Sequence, residues 1–184
     1  MKKETQFKYL IGKLIVFTIL AVLVYVFRDK QIEHLKPFIG SLMVLYGVDG
    51  ILFEVLVYRK NFFQQNKVYL GLVELIFGIV LIASSLEFDY VCIIWATWSI
   101  VRESYEIKEV VSDIKMIFPK VLSGVESIVV IVFSILLLLD PGEHHALIHM
   151  ALLTAELILN PLVIIIDEAL IYWREKKQAN KEQE

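Results

Sequence analysis

Six long apolar runs separated by short charged connections constrain this chain more than any other feature. They run from Tyr9 to Phe27, Pro37 to Tyr58, Val68 to Leu86, Tyr90 to Ile107, Val121 to Leu139 and Ala146 to Trp173. A helix needs about 20 predominantly apolar residues to cross a bilayer, so each run is long enough for one span. A soluble domain would scatter its apolar residues periodically. Here 58% of residues are hydrophobic and fall in blocks, while 21% are charged and fall mostly between them. The sequence thus predicts an all-α integral membrane protein, with one membrane domain over residues 1–184 and a charged tail at 174–184. The segment Met1 to Lys8 is basic, and the run after it ends in Val24-Tyr25-Val26-Phe27-Arg28 without a small-x-small site. It reads as a retained first span rather than a cleaved signal peptide.

The connections predict an orientation. Lys2, Lys3 and Lys8 precede the first run; Arg59, Lys60 and Lys67 follow the second; Lys108, Lys115 and Lys120 follow the fourth; Arg174, Lys176, Lys177 and Lys181 follow the sixth. The third connection, Glu87-Phe88-Asp89, and the fifth, Asp140 to His145, hold no Lys or Arg, whereas the first holds Arg28, Lys30 and Lys36. This bias favours both termini in the cytoplasm, in a multi-pass protein of a plasma membrane. A net charge of -3 gives no basic footprint for nucleic acid. Cys92, the one cysteine, lies in an apolar run and allows neither a disulfide nor a thiolate metal site.

Spacing within the runs repeats. Gly12, Gly71 and Gly124 each precede a charged residue, Arg28, Glu87 and Asp140, by sixteen positions, and Tyr46, Trp98 and Asn160 each precede an acid, Glu54, Glu106 and Glu168, by eight. The chain therefore reads as three repeated helical hairpins, at about 9–60, 68–112 and 121–175. Gly40, Gly47 and Gly50 on the second run, and Gly71 and Gly78 on the third, suit close helix contact. Asp49, on the opposite side of the second run, faces another neighbour or a second subunit, which leaves a homo-oligomer open.

The segments Gly71-Leu72-Val73-Glu74-Leu75-Ile76-Phe77-Gly78-Ile79-Val80-Leu81 and Trp95-Ala96-Thr97-Trp98-Ser99-Ile100-Val101-Arg102-Glu103-Ser104-Tyr105-Glu106-Ile107, with the turn Asp140-Pro141-Gly142, resemble the short membrane repeat of the HdeD-like acid-resistance proteins. That resemblance implies a bacterial inner-membrane protein linked to acid or general stress, without catalytic residues or cofactors. Two features depart from the family pattern: Arg102-Glu103 stand where a Gly beside a small residue is common, and Asn160-Pro161 interrupt the last helix.

A charge inside a spanning helix costs a few kcal/mol, so it faces a partner or a watery cavity. Glu54, Glu106, Glu168 and Lys13 lie near run ends and read as interfacial. Glu74, Arg102, Glu126, Glu156, Asn160 and Asp167 read as an interior network or polar path. Trp95, Trp98, Arg102 and Glu106 share one helix face, which allows the guanidinium to stack on indole. On the sixth run, His145, His149, Glu156, Asn160 and Asp167 advance by four, seven, four and seven, a narrow polar stripe that must face the interior. A hydrogen-bonded packing seam would give the same pattern.

All four histidines, His34, His144, His145 and His149, fall near the expected outer face, where imidazole gains charge as the exterior acidifies. His145 and His149 could chelate an ion at i and i+4, but no third ligand is placed, so no metal is expected. The sequence lacks a phosphate loop, an HExxH and a Ser–His–Asp order. It predicts a non-enzymatic membrane protein that senses external pH, or else a small proton- or cation-conducting transporter or channel using the sixth-run stripe. A purely structural membrane subunit is the third reading. The bilayer is the one partner implied; no soluble partner is.

Overall fold

Among the described residues, each apolar run supplies one helix. The computed structural model describes residues 2–52, 66–112 and 118–181, with side chains described at 8–52, 68–108, 110–111, 121–166 and 169–170. Among the described residues there are six α-helices and no strands: α1 Lys2–Glu33, α2 Leu35–Leu52, α3 Asn66–Ala83, α4 Phe88–Ser112, α5 Phe118–Leu139 and α6 Glu143–Lys181. Four helical stretches are long and apolar enough to cross a membrane: Lys8–Glu33, Leu35–Leu52, Val121–Leu139 and Glu143–Ile166. Glu54 lies outside the described residues, and Asp167 and Glu168 lie on α6 with their side chains outside them.

Local chemistry sets the boundaries. α1 kinks at Phe27 (φ -107°, ψ 15°), where the apolar run gives way to Arg28. Pro37 stands in the first turn of α2, where its missing N–H costs nothing. α3 closes as the Ser84 hydroxyl and amide both donate to the Leu81 carbonyl, at 2.7 and 3.2 Å. The Lys36 ammonium donates to the Ser84 carbonyl, so a cation caps the negative end of α3. That contact gives one of the three basic residues of the first connection a local structural role. Asn160-Pro161 do not interrupt α6, contrary to the reading from sequence. Pro161 is buried inside a continuous helix, which neighbouring helices make tolerable in a spanning segment.

Helix pairing differs from simple hairpins. The closest associations are α2 with α3, α4 with α5, and α1 with α6, followed by α5 with α6. α1 and α2 touch only lightly. Glycine explains the α2–α3 seam. A Cβ on Gly47 would lie 2.5 Å from the Gly71 carbonyl oxygen, and one on Gly78 would lie 2.6 Å from that of Gly40. The two backbones therefore touch at two levels, one heptad apart, as small residues permit.

The even helices supply the large core groups Met43, Tyr46, Trp95, Met150 and Leu157, packed against Phe17, Ala21 and Val24 of α1. The odd helices turn apolar side chains outward, including Ile15 and Ile19, Ile76 and Phe77, and Ile128 and Val132. An apolar exterior on this scale suits lipid and not water.

Candidate functional site

The four-residue and three-residue steps of α4 place Cys92, Trp95, Ala96, Ser99 and Glu103 on one buried stripe, with Trp98, Arg102 and Glu106 beside it. That geometry carries one cation into the bundle. The Arg102 Nη1 lies 3.5 Å from Glu74 Oε1 on α3, its Nε lies 3.4 Å from Glu156 Oε1 on α6, and its Nη2 lies 3.7 Å from Glu106 Oε1 one turn along α4. Glu103 is fully enclosed, with Oε1 3.9 Å from Arg102 Nε.

Two aromatic donors complete the arrangement. The Trp98 indole N–H donates to Glu74 Oε1 at 3.0 Å, and the Tyr46 hydroxyl of α2 donates to Glu156 Oε1 at 3.0 Å. The guanidinium carbon stands 3.5 Å from the centre of the Tyr46 ring and 5.8 Å from that of Trp98. The closer stacking partner is thus a phenol from another helix, with the same-helix indole of Trp98 that the sequence pointed to also within cation–π range. Trp95 turns away from Arg102 and packs edge-on against His149 at 4.6 Å.

Of the sequence-derived interior set, Glu74, Arg102 and Glu156 meet directly. Glu126 of α5 sits within electrostatic reach of Glu103 and Arg102, with both carboxylate oxygens buried and without a hydrogen bond. Asn160 is half-buried and its side-chain amide nitrogen is enclosed without a partner. Glu103 was missed as a site residue and Glu106 was read as interfacial. Ser99 and Glu103, four apart on the Trp95 face, were the available signal for the first. Helix position alone misplaced the second.

Lys13 is also a correction. It reads from sequence as a helix-end group, yet its ammonium lies 2.6 Å from Asp49 Oδ2, with both side chains largely buried between α1 and α2. The Tyr9 hydroxyl donates to the other Asp49 oxygen at 2.7 Å. Asp49 therefore meets α1 of its own chain, and the ion pair ties two helices that otherwise touch little.

The four histidines separate. His34 and His144 are exposed, and His145 Nδ1 lies 3.3 Å from Asp140 Oδ2 on the tight turn. His149 does not belong with them. It is 2% exposed, with Nε2 3.0 Å from the Ser99 hydroxyl and Nδ1 enclosed without a partner. The two α6 rings thus diverge, and no group of three or more His, Cys, Asp or Glu among the described residues is placed to hold a metal ion.

Fold and site together define a helical bundle of membrane-spanning character with an arginine and several acids in its interior. Comparison with family models, curated proteins and solved structures finds nothing that matches this chain.

Proposed function

We propose that the chain is a six-span bacterial plasma-membrane protein whose interior acid–arginine network carries protons or small cations. The observation behind this reading is the charge imbalance around Arg102. Five carboxylates, Glu74, Glu103, Glu106, Glu126 and Glu156, gather near one guanidinium. A low-dielectric interior does not hold that many uncompensated charges, so the excess must carry protons or cations. Taking such groups up from one side and releasing them to the other is the chemistry a conducting or coupled path requires.

The six-span reading is supported by the direction of the charges on α4. α4 is polar by composition, but Arg102 and Glu103 point inward, which leaves Tyr90 and Val101 among its outward groups. The closest associations, α2 with α3, α4 with α5 and α1 with α6, join α3 and α4 to helices that are long and apolar enough to span. The Lys and Arg bias supports both termini on the cytoplasmic side.

Flux measurements in proteoliposomes test the reading. Proton or monovalent-cation flux above that of empty vesicles, reduced in Glu156→Gln and Asn160→Ala, is expected. No flux in either direction of a pH gradient would remove it. Labelling single cysteines placed at Glu143 and Lys115 tests the orientation, and external access at Lys115 would reverse it.

A second reading is favoured by the His145–Asp140 pair on an exposed turn, next to His144. In it, the chain is a non-enzymatic relative of the HdeD-like acid-stress proteins, with His34, His144 and His145 as its candidate pH-sensing residues. Replacing these three by Gln and measuring acid survival tests it; unchanged survival makes them bystanders.

A further inference from the structure

The five acids are not equivalent. Glu74 and Glu156 each combine an Arg102 contact with a hydrogen bond from an aromatic donor, so their charge is locally balanced. Glu103 and Glu126 have no such donors. Neither oxygen of either carboxylate forms a hydrogen bond of good geometry, although the Ser127 hydroxyl stands within reach of Glu103, and all four oxygens are sealed from solvent. The one guanidinium contact of Glu103 is at 3.9 Å, to a group already shared by three other acids.

Ser127 provides an independent sign. It is fully buried on α5 with its hydroxyl within reach of Glu103, where it forms neither a back-bond nor any other hydrogen bond of good geometry. Other helical hydroxyls here behave differently: Thr97, Ser104, Ser134 and Thr154 each donate to the carbonyl one turn back, at 2.7 to 3.0 Å. That back-bond is the default for a hydroxyl in a helix. A buried polar atom left without a partner calls for a ligand or water to satisfy it.

We propose that the α4–α5 seam holds a small monovalent cation, ligated by the carboxylates of Glu103 and Glu126 and the hydroxyl of Ser127. The donor set is all oxygen and carries negative charge, which suits a hard cation rather than a soft one. A divalent ion takes six or more oxygens or a rigid octahedron, and no three His, Cys, Asp or Glu side chains among the described residues are placed to hold one. A singly charged, sodium-sized ion costs less to desolvate and can complete its shell with water beside these oxygens. The seam is tight because α4 and α5 are among the most closely packed pairs, and Glu103 lies about 22 Å along α4 from Phe88, well into the bundle. Arg102 and Glu106 on α4, Glu156 on α6 and Glu74 on α3 surround the seam. Arg102 opposes cation entry and the acids favour it, so protons and the cation compete for the same carboxylates.

This site rests on the transport reading and names its substrate class. The test is equilibrium binding of radioactive sodium to the purified full chain in detergent, with choline as the blank and lithium and potassium as competitors. Saturable binding is expected, weakening toward acidic pH. It should fall by about tenfold or more in Glu103→Gln and in Glu126→Gln, at least the loss typical when a group that merely supports a ligand is removed. Ser127→Ala should weaken binding several-fold, and it carries the test if either acid variant fails to stay monodisperse. Binding that persists unchanged in the Glu103→Gln/Glu126→Gln variant, or no saturable binding at any pH, overturns the site. Flux without sodium binding would keep the transport reading and discard this site; sodium binding without flux would do the reverse.

Discussion

Substituting alanine for glycine at the α2–α3 seam tests whether backbone contact holds these two helices together. At Gly47 the added methyl would lie 2.5 Å from the Gly71 carbonyl oxygen, 2.7 Å from the Leu75 amide nitrogen and 3.0 Å from the Leu75 Cβ. Two of the three are backbone atoms, so a rotamer change cannot relieve the clash. Ordinary contact begins near 3.4 Å, so the helices must part by about 0.9 Å at that level. Overpacking of this kind costs about 1–3 kcal/mol, while the gain from replacing a mid-helix glycine returns about 0.5–1 kcal/mol. The expected net loss for Gly47→Ala is therefore about 0–2.5 kcal/mol, toward the upper end because the clash is with backbone. Gly12→Ala is the control, because nothing lies within 4 Å of the added carbon and only the helix gain remains. Cys92 is the one cysteine and is fully buried, so the rate at which a thiol-reactive dye labels it on heating reports loss of the fold. Gly47→Ala and Gly71→Ala should expose Cys92 at lower temperature than the parent, and Gly12→Ala should not. If both seam variants melt at or above the parent, the glycines are not there for close approach.

Three further substitutions separate the interior contacts. Tyr46→Phe removes a hydrogen bond but keeps the ring under Arg102, and should cost about 1 kcal/mol, whereas Tyr46→Leu removes both and should cost clearly more; the same dye-labelling melt ranks them. Lys13→Met strands a mostly buried Asp49 and should destabilise by about 3–5 kcal/mol, most of it recovered in Lys13→Met/Asp49→Asn; a double-mutant cycle without that recovery would refute a pairing role. Arg102→Met should abolish monodisperse protein on size exclusion, with partial rescue by Glu74→Gln/Glu156→Gln, because the loss comes from uncompensated carboxylates.

Much of the interior was readable from spacing. Glu74, Arg102 and Glu156 were identifiable because a charge in an apolar run must find a partner, and they do meet. The polar face of α6 was equally plain, and His149 and Glu156 are both buried on it. Identities of partners were not legible in this way. Arg102 stacks on Tyr46 because α2 and α4 bring them together across more than fifty residues of chain, a relation that no helical periodicity encodes. His149 shares its stripe with His145, yet one turn of helix takes it from the exposed tight turn into the core beside Ser99 and Trp95. Lys13 was misread for a related reason. Distance from a run's end measures depth along a helix, and pairing depends on which neighbour stands beside it.

Sequence alone determined the number of helices and their approximate limits, because these depend on local hydrophobic pattern and on the chain's obligation to satisfy its own backbone in lipid. Tertiary structure alone decided which helices adjoin and which acids are compensated. In an apolar surrounding the hydrophobic effect does not choose helix partners, so the choice falls to backbone fit and buried charge. Gly40, Gly47, Gly71 and Gly78 make that choice for α2 and α3, and Asp49 with Lys13 makes it for α1 and α2. Arg102 balances Glu74 and Glu156 and leaves Glu103 and Glu126 short of partners for the same reason: one guanidinium has a fixed reach, and only the assembled bundle sets what lies inside it.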